Sequence, residues 1–100
     1  MIKLEELSYN GKVVLTIGFD DSDKSIIFVD ENNSTVRLGI NGISITSEND
    51  INISSRGNIK IDGVNITINA NVSLTAKANA TAELSASGQT TVKGAIVMIN

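Results

Sequence analysis

The stretch that decides the fold of this chain is Ile66–Ala86, which reads ITINANVSLTAKANATAELSA. Every even-numbered residue in it is apolar, and every odd-numbered residue is polar. Alternation with a period of two is typical of β structure that has one dry face and one wet face. Because most strands are roughly five or six residues long, the stretch predicts a stacked or wound β assembly and not one long strand.

The composition limits how a chain of 100 residues can be stabilised. It contains no Cys and no His, which excludes disulfides and the usual transition-metal sites. The aromatic residues Tyr9, Phe19 and Phe28 all lie in the first third of the chain. Since small domains commonly need disulfides, metals or partners, the sequence predicts stabilisation by oligomerisation.

Charge and hydropathy narrow the range of partners. The formal net charge is −3 and there is no basic patch, so we expect no nucleic-acid partner. Residues 1–6 lack the apolar core of a secretory signal, and no stretch reaches the roughly 20 apolar residues of a membrane-spanning helix. We therefore expect synthesis in the cytoplasm.

Residues 1–41 predict a small N-terminal β region. The expected strands are Ile2–Leu7, Val13–Phe19, Ser25–Asp30 and Thr35–Ile40. The apolar run Ile26–Val29 predicts a strand buried on both faces, and Ser25–Ile40 predicts a hairpin. The acids Asp20, Asp21 and Asp23 are candidates for a Ca²⁺ site, but they lack the spacing of a dedicated loop, which favours an acidic turn.

Residues 42–100 contain an internal repeat of eight residues, which we call the octad. Its first and third positions are apolar or small in almost every unit, and the units begin at Ile43, Ile51, Ile59, Ile66, Leu74, Ala82 and Thr90. The unit Ile59–Asn65 has only seven residues, which shifts the parity of the alternation. A strand needs a bend or bulge for such a shift, and Asp62–Gly63 is its predicted place.

The octads favour three intertwined chains. A single-chain solenoid would need about three octads per coil, whereas three copies with one octad each close every hydrogen-bond ladder around a shared axis. The predicted fold is all-β: the N-terminal β region of residues 1–41, followed over residues 42–100 by a homotrimeric triple-stranded β-helix. The predicted trimer core comprises the inward side chains Ile43, Ile45, Ile51, Ile53, Ile59, Ile61, Ile66, Ile68, Val72, Leu74, Leu84 and Val92.

The run Ala95–Ile99 departs from the alternation because all its residues are apolar. Exposed aliphatic surface beside open strand edges usually marks an interaction site. We predict a partner-binding tip made of Ala95, Ile96, Val97, Met98, Ile99 and Asn100. The alternative is that both faces of the run pack, with the three chain ends folded over the axis.

No arrangement of residues predicts catalysis. Ser85, Ser87 and Thr90 have no His to act as a base. Glu83 is the only carboxylate after Asp62, whereas a glycosidase needs a pair. We therefore expect no enzyme activity, no catalytic residue, no cofactor and no bound metal.

The octads resemble the carboxyl-terminal needle of VgrG-like spike proteins. The resemblance is strongest in the ending LSASGQTTVKGAIVMIN at Leu84–Asn100, and Ile27–Leu38 is similar to the strand pair that precedes the needle. The family includes the type VI secretion spike, its counterparts in extracellular contractile injection systems and the central spike of contractile phage tails. The resemblance covers residues 25–100.

This resemblance implies a mechanical function, in which a trimeric spike pierces the target envelope. It implies a PAAR-repeat tip protein docked at the C-terminal end, baseplate and tube proteins on the N-terminal side, and transient contact with the target membrane. It also implies assembly into an injection particle or virion that acts outside the producing cell. An apical iron site is not expected without His. The alternative function is a receptor-binding tip of an adhesive trimeric tail fibre.

Overall fold

The fold is described by a computed structural model that covers all 100 residues. Its regular elements are five strands: β1 (Ile2–Tyr9), β2 (Lys12–Asp20), β3 (Ser25–Asp30), β4 (Thr35–Gly39) and β5 (Gly42–Thr46). They pair antiparallel in chain order and form one sheet, so the predicted all-β class is confirmed. No helix capable of crossing a membrane is present. The chain divides into two compact units, Met1–Lys60 and Ile61–Asn100.

The first four strands lie close to their predicted ranges, and the hairpin of β3 and β4 is confirmed. The tight β1–β2 turn uses Asn10 and Gly11, whose φ values of 52° and 75° are typical of two-residue hairpin turns. Strand β5 was not predicted as part of the sheet, because the sequence places Ile43 in the first octad. Ile43 nevertheless pairs with Leu38 of β4.

The two faces of the sheet differ in burial. On one face Ser25 is 2% exposed and Ile27 is 3% exposed. On the other face Ile26 is 46% exposed and Phe28 is 37% exposed. The expectation that Ile26–Val29 is buried on both faces is therefore wrong for the single chain. Successive side chains of a strand point to opposite faces, and the chain covers only one of them.

Arg37 of β4 joins the acidic β2–β3 turn to the sheet. Its Nη1 atom lies 2.9 Å from Asp23 Oδ2 and 3.3 Å from Asp20 Oδ2. Asp20 Oδ1 also accepts hydrogen bonds from the hydroxyl and the backbone N–H of Ser22, at 2.6 and 3.1 Å. The hydrogen bonds from Ser22, followed by the interaction with Arg37, lower the pKa of Asp20. No group of three acidic side chains is placed to hold a metal ion.

Candidate functional site

The octads form a chain of sharp bends. Beyond Thr46 the backbone takes part in no strand ladder. The bends lie at residues 48–49, 56–57, 64, 71–72, 79–80, 87–88 and 95–96. In each eight-residue unit they occupy the sixth and seventh positions. The structure therefore repeats with the same spacing as the sequence.

The seven-residue unit keeps its straight part and loses one residue of the bend. Six residues separate consecutive bends throughout, at 50–55, 58–63, 65–70, 73–78, 81–86 and 89–94. The bend of the short unit consists of Val64 alone. The predicted bend at Asp62–Gly63 was thus placed too early in the chain. Because the missing residue comes from the bend, the alternation within each straight part is unbroken.

A small residue occupies the fifth position of every octad, immediately before the bend. These residues are Ser47, Ser55, Gly63, Ala70, Ala78, Ala86 and Gly94. The hydroxyls of Ser47 and Ser55 accept hydrogen bonds from the backbone N–H groups of Asn49 and Gly57, at 3.1 and 3.0 Å. Such bonds hold a turn locally. A Cβ on Gly94 would lie only 3.2 Å from the Ile96 carbonyl oxygen. This small residue was not predicted from the sequence, although it is visible when the octads are aligned in columns.

The predicted core side chains do not form a core within one chain. Their exposed fractions range from 51% for Ile51 to 96% for Val72. Every residue from Glu48 to Asn100 is exposed. Val72 differs from the other predicted core residues because it lies at a bend, in the seventh position, and not at position one or three. The octads therefore present aliphatic surface at regular intervals without a partner in the same chain.

The predicted tip begins at the last bend. Ala95 and Ile96 form that bend, Val97 is the eighth residue of the octad that begins at Thr90, and Met98–Asn100 follow it. Ile96, Met98 and Ile99 are 83%, 88% and 89% exposed, whereas Val97 is 47% exposed. The segment is thus a patch of neighbouring apolar side chains. Exposed patches of this kind suit docking of another protein.

The polar side of the octads carries simple hydrogen-bonding groups. Ser85 Oγ donates a hydrogen bond to Glu83 Oε1 at 3.1 Å. The two residues are consecutive polar positions of the alternation. Both residues are exposed. This pair lacks an adjacent imidazole to raise the nucleophilicity of the hydroxyl.

The chain matches no protein-family model. A search of curated proteins also finds no match.

Proposed function

We propose that this chain is the structural spike, or needle, of a contractile injection machine, and that it acts as a homotrimer. The observation that carries the proposal is the periodic exposure of apolar side chains on a backbone without ladder partners. Large aliphatic side chains gain free energy when they are buried against matching strands, and the backbone amides of such strands form ladder hydrogen bonds. A chain that repeats this arrangement every octad needs equivalent chains beside it.

The exposed surface is large enough for an obligate assembly. The accessible surface of the chain is 9628 Å² for a mass of 10.5 kDa. A compact folded chain of that mass exposes about 5,400 Å². In a trimer each chain contributes half of each of two interfaces, so burial of this excess of about 4,200 Å² per chain corresponds to about 4,200 Å² per interface, within the range of roughly 2,000–5,000 Å² for permanent complexes. Weakly associating proteins bury far less, so this excess supports permanent association.

The proposed assembly contains three copies, with one octad of each copy in every layer. Each straight part supplies one wall of a triangular prism, and each bend turns the chain toward the next wall. A small fifth residue suits the corner, where three chains crowd together. One octad per layer gives a rise of about 4.8 Å, so the seven units form a needle of roughly 30–35 Å. All ladders close around the axis, which removes the exposed strand edges that invite aggregation.

The proposed function is the mechanical puncture of a target envelope. In this proposal the segment 95–100 docks a PAAR-repeat tip protein, and the N-terminal side meets baseplate and tube proteins. The spike contacts the target membrane only in passing. It is made in the cytoplasm and acts after assembly into an injection particle or virion. The exposed aliphatic patch of the tip supports the docking part of the proposal.

Amide hydrogen exchange tests the proposed walls. In the trimer the amides of the straight part 65–70 are paired with neighbouring chains, so they exchange far more slowly than in an unfolded chain. Exchange at the rate of an unfolded chain, in protein at micromolar concentration, would contradict the proposal. The β2 and β3 amides provide the internal reference, because the single chain already pairs them.

A capture experiment tests the tip separately. Val97→Asp and Ile99→Asp should abolish capture of a PAAR-repeat protein while the trimer persists. The matched control is Val64→Asp. Val64 is an exposed valine that forms a bend, and Val97 is an exposed valine that directly follows one. Unchanged capture by the tip variants would move the docking site elsewhere. Glycan binding by the intact trimer would instead favour the receptor-binding fibre tip.

A further inference from the structure

The exposed face of the sheet carries a continuous apolar surface, which we call the sheet apolar face. Its members are Ile26, Phe28, Val36, Leu38, Ile43 and Ile45, with exposed fractions from 36% to 71%. They form two rows across β3, β4 and β5. Ile26 pairs with Leu38, which pairs with Ile43; Phe28 pairs with Val36, which pairs with Ile45. Direct cross-strand neighbours of this kind form one contiguous surface.

A groove of about 300 Å³ opens on this face. Its apolar lining includes Phe28, Val36, Ile45 and Ile51. Ile45 and Ile51 are the third and first positions of the first two octads. The groove therefore joins the sheet to the octad side chains within the unit Met1–Lys60.

We propose that the sheet apolar face is covered by the same face of two further copies of this chain. The trimer interface then begins at β3 and does not begin after the sheet. This inference rests on the proposed trimer and extends it to the N-terminal region. Its main support is continuity: Ile43 and Ile45 belong both to the sheet apolar face and to the predicted inward series of the octads. If these two side chains face a threefold axis, their cross-strand neighbours face it too.

The charges around the sheet apolar face favour further copies of this chain over a lipid surface as its partner. None of the six side chains is charged, and Asp30 and Asp50 also line the groove. The chain carries a net charge of −3. Proteins that bind membranes through an apolar surface usually surround it with Lys and Arg, which attract anionic headgroups. A second and third copy of this chain need no such cations.

The apolar run Ile26–Val29 also supports coverage of the sheet apolar face by further copies of this chain. Ile27 is buried within the chain, whereas Ile26 and Phe28 are exposed on the opposite face. A continuous apolar run is typical of a strand covered on both sides. Association through the sheet apolar face would cover the second side of β3 and leave the acidic turn with Arg37 on the other face.

Single cysteines test the inference, because the natural chain has none. Leu38→Cys places a thiol on the sheet apolar face, and Val36→Cys provides a second position in case the first variant fails to fold. Tyr9→Cys is the control, since Tyr9 lies at the end of edge strand β1 and is 71% exposed. Ile68→Cys reports separately on the octads. Each variant is oxidised and, in a parallel sample, labelled with a maleimide in the native state.

The inference predicts loss of native-state labelling at position 38, together with a disulfide that links two of the three chains. The control at position 9 should label fully and form no cross-link. Cross-linking at position 68 with full labelling at positions 36 and 38 would overturn this inference and leave the trimer intact. Absence of cross-links at all positions, with a monomeric protein, would overturn the proposed function as well. Protection at position 38 only when anionic vesicles are added would make lipid the occupant.

Discussion

Truncation of one inward side chain should weaken the assembly far more than its exposure in the single chain suggests. Ile66 is the first residue of its octad and is 53% exposed. If it faces the axis of a trimer, Ile66→Ala removes fully buried methyl groups and leaves a cavity, at a cost of at least about 2 kcal/mol per chain. Three copies bring the loss to about 6 kcal/mol per trimer. That is about four decades in the dissociation constant.

Sedimentation equilibrium over a range of concentrations measures this loss. Because three chains form one trimer, the midpoint concentration follows the square root of the dissociation constant and should rise about a hundredfold. Val64→Ala is the matched control. Val64 is 100% exposed at a bend, a position that is polar in most other octads, so its truncation should change the midpoint little. Equal midpoints for Ile66→Ala and Val64→Ala would refute the assignment of Ile66 to the trimer core.

Three further predictions concern the sheet and the bends. The melting temperature of the sheet should decrease as the pH is lowered past about 4. The pKa of Asp20 is lowered in the folded state, so the stability that its carboxylate contributes is lost when the carboxylate becomes protonated. Melting curves between pH 6 and pH 2 should show a smaller decrease for Asp20→Asn than for the natural chain, and an equal decrease would contradict this prediction. Gly39→Ala should destabilise the sheet by about 1–3 kcal/mol, since its Cβ would collide with Ser25 Oγ; Ser25→Gly in the same chain should restore much of the loss in a denaturant titration. Ala78→Leu should lower the trimer melting temperature, because a small residue occupies the fifth position of every octad and Leu would overpack the proposed corner, whereas the exposed bend variant Ala80→Leu should have little effect.

The local parts of the fold could be predicted from the sequence. Turn residues such as Asn10 and Gly11 bound β1 and β2, and their left-handed backbone conformation follows from residue type. The octad spacing follows from the positions of Ile and Leu, and the bends occur at that spacing. In both cases the signal lies within a few residues of the structure that it specifies.

The parts that depend on pairing between distant residues could not be predicted. Arg37 contacts Asp20 and Asp23, which are 17 and 14 residues away, only because β3 and β4 pair in one particular register. The sequence also assigned Ile43 to an octad without indicating that β5 pairs with β4. Burial of one face of β3 follows from the sheet as a whole and not from the run Ile26–Val29 itself.

The mass of the native particle distinguishes a trimer from a monomer. Native mass spectrometry, or sedimentation equilibrium at micromolar concentration, measures the number of chains in the folded protein. A homotrimer has three times the chain mass of 10.5 kDa, and we expect no folded monomer at micromolar concentration. A folded monomer under these conditions would contradict the proposed trimer.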